Sequence, residues 1–171
     1  MKHGKLATLV GASFLLLLAN TAYISAFASP TVFYMGNVLA HLVLGVLVAA
    51  GAALLFARRP ELRRGFGAAG VLFVAALLVG LFLAVRGNVL ALRWALWAHV
   101  ITAGLGLVAL LPWLARRAGE SFDGQGFRRF RPLFAAALVL LVAAPGAAWL
   151  YRRSHPNAAD RIVNPMVVPT S

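Results

Sequence analysis

Five apolar runs joined by short basic turns predict an all-α membrane protein. The expected architecture is five transmembrane helices in an up-down bundle with short loops, followed by an extended C-terminal tail. Two observations carry this. Of the 171 residues, 62% are hydrophobic and only 12% are charged, which lies outside the range of a soluble domain. The charge is also lopsided, with 16 basic residues against 4 acidic ones for a net +12, and the basic residues cluster between the apolar runs. On a soluble domain such a surplus would point to nucleic acid. Clustered between spans it is a topology signal, and no basic face forms to follow a phosphate backbone. The expected partner is therefore the lipid bilayer.

The runs lie at about Leu6 to Ala28 (6–28), Val38 to Ala57 (38–57), Phe66 to Val85 (66–85), Leu92 to Ala115 (92–115) and Leu133 to Tyr151 (133–151). Each approaches the ~20 apolar residues that cross hydrocarbon, so residues 1–151 form the bundle and 152–171 the tail. The first run has a rival reading. Lys2 and Lys5 ahead of an apolar stretch, then Ala26-Phe27-Ala28, match a cleavable signal peptide. The stretch is long for that purpose, so a membrane helix is the expectation, and either outcome leaves the second and fourth helices parallel. With the N-terminus inside, 11 basic residues fall on the inner side and 5 on the outer, which favours an N-in, C-out arrangement. Phe33, Tyr34, Trp94, Trp97, Trp149 and Tyr151 then form an outer interfacial belt. In the fifth run Pro145 is expected to kink the helix, with Gly146 easing the bend. The tail contains Pro156, Pro165 and Pro169 and no apolar periodicity, as a linker to a further element would.

Two histidines stand out. His41 precedes Arg58-Arg59 by 17 positions, and His99 precedes Arg116-Arg117 by the same 17. A shift of 58 aligns Ala40-His41 with Ala98-His99 and Ala57-Arg58-Arg59 with Ala115-Arg116-Arg117, a weak internal repeat. On parallel helices the two imidazoles lie at one depth, each about one and a half turns, roughly 8 Å, below the outer helix end. Ionisable groups inside membrane helices are costly and usually functional. A matched imidazole pair meets the axial requirement of one b-type haem, held without covalent attachment because the chain has no cysteine. Gly45 and Ala103, each four residues below its histidine on the same helix face, are small enough to leave room for a macrocycle, and Gly104 and Gly106 keep the fourth helix thin. Arg93, near the outer end of the His99 helix, and Arg86, in the adjoining loop, are candidate partners for haem propionates. Among the polar residues Asn20, Thr21, Tyr23 and Ser25 in the outer half of the first helix, Asn20 or Tyr23 is placed to donate to a propionate or a quinol.

Other readings of the pair stand beside this one. Each histidine can simply hydrogen-bond a neighbouring helix, and the polar residues of the first helix can serve the same purpose. One histidine can line a quinone pocket. A bare metal site on both is the least supported, for lack of a nearby cysteine or acidic ligand. His3 and His155 fall in the two tails and are expected to be solvated.

Helix pairs that hold two haems across a bilayer carry a second histidine about four turns away. Fourteen positions beyond His41 stands Leu55, and fourteen beyond His99 stands Trp113, so one haem on the outer side is all the chain supports. None of the acidic residues Glu61, Glu120, Asp123 and Asp160 lies within a span, which argues against a proton or cation pump. No nucleophile–base arrangement, phosphate loop or metalloprotease motif occurs, so independent enzymatic chemistry is not indicated.

A short-loop bundle with one histidine on each of two parallel helices resembles membrane-bound b-type cytochrome subunits. The tail residues Arg161-Ile162-Val163-Asn164-Pro165 with Pro169-Thr170-Ser171 are similar to a segment leading into periplasmic multihaem c-type cytochrome domains. What the resemblance implies is a multi-pass subunit of a bacterial inner membrane, its C-terminus periplasmic. It would bind one haem b through His41 and His99 and move electrons between the quinone pool and periplasmic redox carriers, as part of a larger complex. The alternative is a haem-free membrane anchor or assembly subunit for a periplasmic redox partner.

Overall fold

The computed structural model describes residues 2–27, 31–121, 143 and 146–156, and among these every regular element is helical. Helix α1 spans Lys2–Ala26, α2 Val32–Arg58, α3 Gly67–Arg86 and α4 Arg93–Ser121. One-turn 3-10 segments at Pro60–Arg63 and Leu90–Leu92 lead into α3 and α4. Four stretches, Leu6–Ala26, Val32–Arg58, Gly67–Arg86 and Leu90–Arg116, are long and apolar enough to cross a membrane.

Local chemistry sets the ends. Thr31 caps α2, its side chain accepting from the Tyr34 amide at 3.2 Å. Pro60 ends α2 because the residue before a proline is pushed out of the helical region, and Arg59 sits at φ −135°. Gly87, at φ +80°, closes α3 with its amide on the Leu83 carbonyl. In α4, Pro112 removes the amide that would bond Val108, yet the helix continues past it. Polar groups inside the spans satisfy themselves where they can: Thr21 bonds the Leu17 carbonyl at 2.8 Å, Ser25 that of Thr21 at 2.9 Å and Thr102 that of Ala98 at 2.7 Å.

Three boundaries differ from expectation. The second helix begins at Val32, not near 38, because the Thr31 cap adds a turn and a half ahead of the apolar run. The fourth continues to Ser121, since Arg116-Arg117 marks the edge of hydrocarbon and does nothing to break a helix. Residues 146–154 are helical and run three positions into the predicted tail. Residues 133–142 and 144–145 of the fifth run, including Pro145, and residues 157–171 of the tail lie outside the described residues. Arg152, in the helical segment 146–154, donates to the Ala26 carbonyl at 3.1 Å, beside the end of α1.

Packing follows two antiparallel hairpins, α1–α2 and α3–α4, whose backbones approach closely within each pair, whereas α2 and α3 meet more narrowly. The buried residues are small or few: Ala69, Ala76 and Ala95 are 5% exposed or less, joined by Ala26, Leu55 and Leu110. Small residues at helix contacts and Leu or Val facing outward, such as Leu9 at 65% and Val71 at 71% exposure, are what lipid solvation selects. Between the hairpins contact is made by rings: Phe14 meets Phe73 edge-on at 6.0 Å, and Phe56 meets Trp113 at 6.4 Å. Because His41 reaches His99 and Phe56 reaches Trp113, α2 and α4 run parallel.

Glycines carry two of the close approaches. A Cβ at Gly106 would lie 2.9 Å from the Phe73 ring, and one at Gly51 would lie 2.9 Å from Val10 Cγ2. Gly106 is thus filled by a neighbour and leaves no room for a macrocycle, whereas a Cβ at Gly104 would meet open space. Gly106→Val should lower the thermal midpoint of the detergent-solubilised protein, at a cost of about 1–3 kcal/mol for overpacking. Gly104→Ala should not lower it.

Candidate functional site

His41 and His99 meet across the seam between the hairpins, ring centres 6.1 Å apart and ring planes at 80°. Their common level does not come from helix ends. His41 lies nine residues into α2, about 13 Å, and His99 six residues into α4, about 9 Å. The depth of one and a half turns expected for both therefore holds only for His99. Packing of α2 parallel to α4 brings the rings level.

Each ring is held by one nitrogen. His99 Nδ1 lies 2.8 Å from the Ala76 carbonyl oxygen. A carbonyl only accepts, so Nδ1 carries the proton and the neutral ring keeps its lone pair on Nε2. His41 Nδ1 lies 3.2 Å from Thr21 Oγ1. The single hydroxyl proton of Thr21 is already given to the Leu17 carbonyl, so Oγ1 accepts here and His41 Nδ1 is again the donor. Both imidazoles therefore take the same tautomer, with Nδ1 tied to its own hairpin and Nε2 left as a free ligand atom. Metal-bound histidines show this outer-shell arrangement, in which the second nitrogen donates to a carbonyl or other acceptor and fixes the ring.

The floor of the His99 ring is Gly80 of α3, where a Cβ would lie 3.0 Å from Cε1 and 3.1 Å from Nδ1. Any side chain there would push the imidazole away from Ala76. On the other hairpin Gly45, one turn below His41, borders open space, with nothing within 4 Å of where its Cβ would be. Ala103, one turn below His99, is half-buried. Arg86 ends α3 and Arg93 opens α4; both side chains are exposed at the histidine end of the bundle.

A second polar cluster sits beside the pair. Asn37, one turn above His41 on α2, donates through Nδ2 to the Phe33 carbonyl at 2.9 Å, which turns its Oδ1 toward α1. Asn20 Nδ2 donates to that oxygen at 2.9 Å. Asn20 Oδ1 is then buried without a hydrogen-bond partner among the described residues. One of the two Asn20 N–H groups is thus engaged by Asn37, and its Oδ1 is an unpaired acceptor beside the histidine pair. Tyr23 packs its ring against Phe27 at 5.3 Å and Phe33 at 5.5 Å, closing the cluster on the outer side.

At the opposite end, where a second histidine pair would sit, Trp113 packs with Phe66 at 5.4 Å, Phe66 packs with Phe56 at 4.5 Å, and the indole donates to the Leu62 carbonyl at 2.9 Å. No group of three or more histidine, cysteine or acidic side chains with metal-site geometry occurs among the described residues.

Asn37, Gly80 and the Ala76 carbonyl escape a reading of the sequence. Asn37 had a signal, an amide one turn from His41 inside an apolar helix. Gly80 and Ala76 had none, being small residues in a run of small residues. No protein-family model, no curated protein and no solved structure matches the chain.

The tautomers can be read directly. With 15N-labelled histidine in the membrane-reconstituted protein, both neutral rings should show a protonated Nδ1 and an unprotonated Nε2. Thr21→Val should release His41 into a mixture of tautomers and leave His99 unchanged. A predominant Nε2–H form in the wild type would contradict the assignment.

Proposed function

We propose that this protein is a membrane subunit that holds one b-type haem between His41 and His99 and exchanges single electrons at the histidine end of the bundle. The observation that carries this reading is the pair of Nδ1-anchored imidazoles with ring centres 6.1 Å apart. His41 and His99 would hold the iron of such a group through their unprotonated Nε2 atoms.

The donor set favours haem over a bare ion. Two imidazoles alone fall short of the four ligands a structural zinc site uses. A porphyrin supplies four nitrogens itself and asks the protein for two. The seam between hairpins is where a planar group would enter, because backbone contact is close within each hairpin and not across it. A Cβ at Gly45, one turn from His41, would meet open space, Ala103 adds little bulk one turn from His99, and Arg86 and Arg93 stand exposed at the histidine end for the propionates.

When bound, the haem would supply one-electron chemistry at iron, and the chain's own residues set its terms. Ala76 and Thr21 fix the ligand rings and raise their basicity through the Nδ1 protons. The surrounding hydrocarbon excludes water. Asn20 Oδ1 offers an acceptor one helix away, suited to the hydroxyl of a quinol, so a membrane quinone is the proposed exchange partner on the lipid side. On the water side the proposed partner is a soluble or complex-bound carrier such as a c-type cytochrome. The proposed location is a bacterial inner membrane with the histidine end and the C-terminus on the periplasmic face, as the basic-residue count favours.

The test is a dithionite-reduced minus oxidised spectrum of the purified protein, with a pyridine haemochrome assay. A b-type α-band at about one haem per chain, lost in His41→Ala and in His99→Ala, is the expected outcome. A colourless protein from haem-replete cells would overturn the reading and leave a structural anchor for a redox partner as the better account. Gly80→Val, which touches no ligand, should also lower haem occupancy by displacing the His99 ring.

A further inference from the structure

The end of the bundle away from the histidines collects positive charge in an unusual way. Arg58, Arg63, Arg64 and Arg116 are all exposed there, and Arg59 pairs with Glu61 at 3.3 Å. Two of these guanidinium groups are positioned by the fold. Arg63 Nε donates to the Phe56 carbonyl at 3.0 Å, which anchors the stem of that fork on α2. Arg116 lies over Gly65, with Nη2 2.6 Å from where a Cβ would be. Gly65 has φ +78°, so the turn both demands glycine and, by lacking a side chain, opens the notch that Arg116 fills. The turn itself is pinned from α4 by the Trp113 indole on the Leu62 carbonyl.

These contacts bring Arg63 and Arg116 to the same turn as Arg64, against their mutual repulsion. The location is also specific. Two of the spans, Val32–Arg58 and Leu90–Arg116, end here and a third begins at Gly67, which puts the guanidinium groups at the depth of lipid phosphates. Guanidinium forks match phosphate oxygens bidentately.

We propose that this turn binds the headgroup phosphate of an anionic phospholipid, held by Arg63, Arg64 and Arg116. The inference rests on the membrane spans and is independent of the haem reading. A lipid bound here would bridge the two hairpins, because Arg63 and Arg64 belong to the α2–α3 connection and Arg116 to α4.

The experiment is native mass spectrometry of the detergent-solubilised full chain, titrated with phosphatidylglycerol or with phosphatidylcholine of the same acyl chains. Phosphatidylglycerol should bind at least about tenfold more tightly. The double variant Arg63→Gln/Arg116→Gln should bring the two lipids to within about twofold, and Arg86→Gln/Arg93→Gln, at the other end, should keep the preference. Helix content and elution volume check that each variant is folded. If the double variant does not fold, Gly65→Asn, which keeps the backbone conformation and fills the notch, takes its place. Equal binding of the two lipids by the wild type, or a preference that survives the inner variant, overturns the proposal. So does an equal loss in both variants, which would mean net charge alone. Millimolar inorganic phosphate should not displace the lipid; full displacement would make the site one for a soluble anion and overturn the lipid assignment.

Discussion

A ring N–H placed in hydrocarbon has to find an acceptor inside the protein, because no water is there to supply one. That requirement organises the centre of this molecule. His99 meets it with a carbonyl of α3, and His41 meets it with a hydroxyl of α1 whose own proton is already spent on Leu17. Each bond is internal to one hairpin, so each hairpin presents a finished imidazole, oriented and with one defined lone pair. The packing of the two hairpins then brings these rings to 6.1 Å, centre to centre.

The same constraint explains why so little of the chain is buried. In lipid, apolar side chains lose nothing by facing outward, so helix association depends on close backbone approach and on polar contacts. Within the α3–α4 hairpin Ala69, Ala76, Ala95 and Gly106 permit that approach. Across the seam the ring contacts Phe14–Phe73 and Phe56–Trp113 link the hairpins, and it is there that the proposed planar ligand would lie.

The two ends of the seam differ in kind. At the histidine end amide and imidazole side chains lie between the helices, with Asn20 Oδ1 unpaired among the described residues, and Arg86 and Arg93 are exposed at the edge. At the other end an aromatic cluster of Phe56, Phe66 and Trp113 closes the gap, and the charge is carried by guanidinium groups around the Gly65 turn. The proposed haem belongs to the first end and the proposed lipid phosphate to the second.

Much of this was legible in the residues alone. Composition and run length define a helical membrane protein, because hydrocarbon thickness leaves few alternatives to an apolar helix of about 20 residues. The equal spacing of His41 and His99 from their arginine pairs anticipates their meeting, since parallel spans that share a lower edge share every level above it. What a histidine bonds to, however, depends on which small residue of another helix comes within 3 Å of it, and no sequence pattern distinguishes Ala76 or Gly80 from their neighbours. Nor does composition reveal that Asn37 accepts a hydrogen bond from Asn20 and leaves Asn20 Oδ1 unpaired, or that Phe73 fills the space at Gly106. Those outcomes belong to the packing of one hairpin against itself and against the other. The chain by itself specified which groups lie in the membrane and at what level; tertiary structure decided which of their atoms remain free to act.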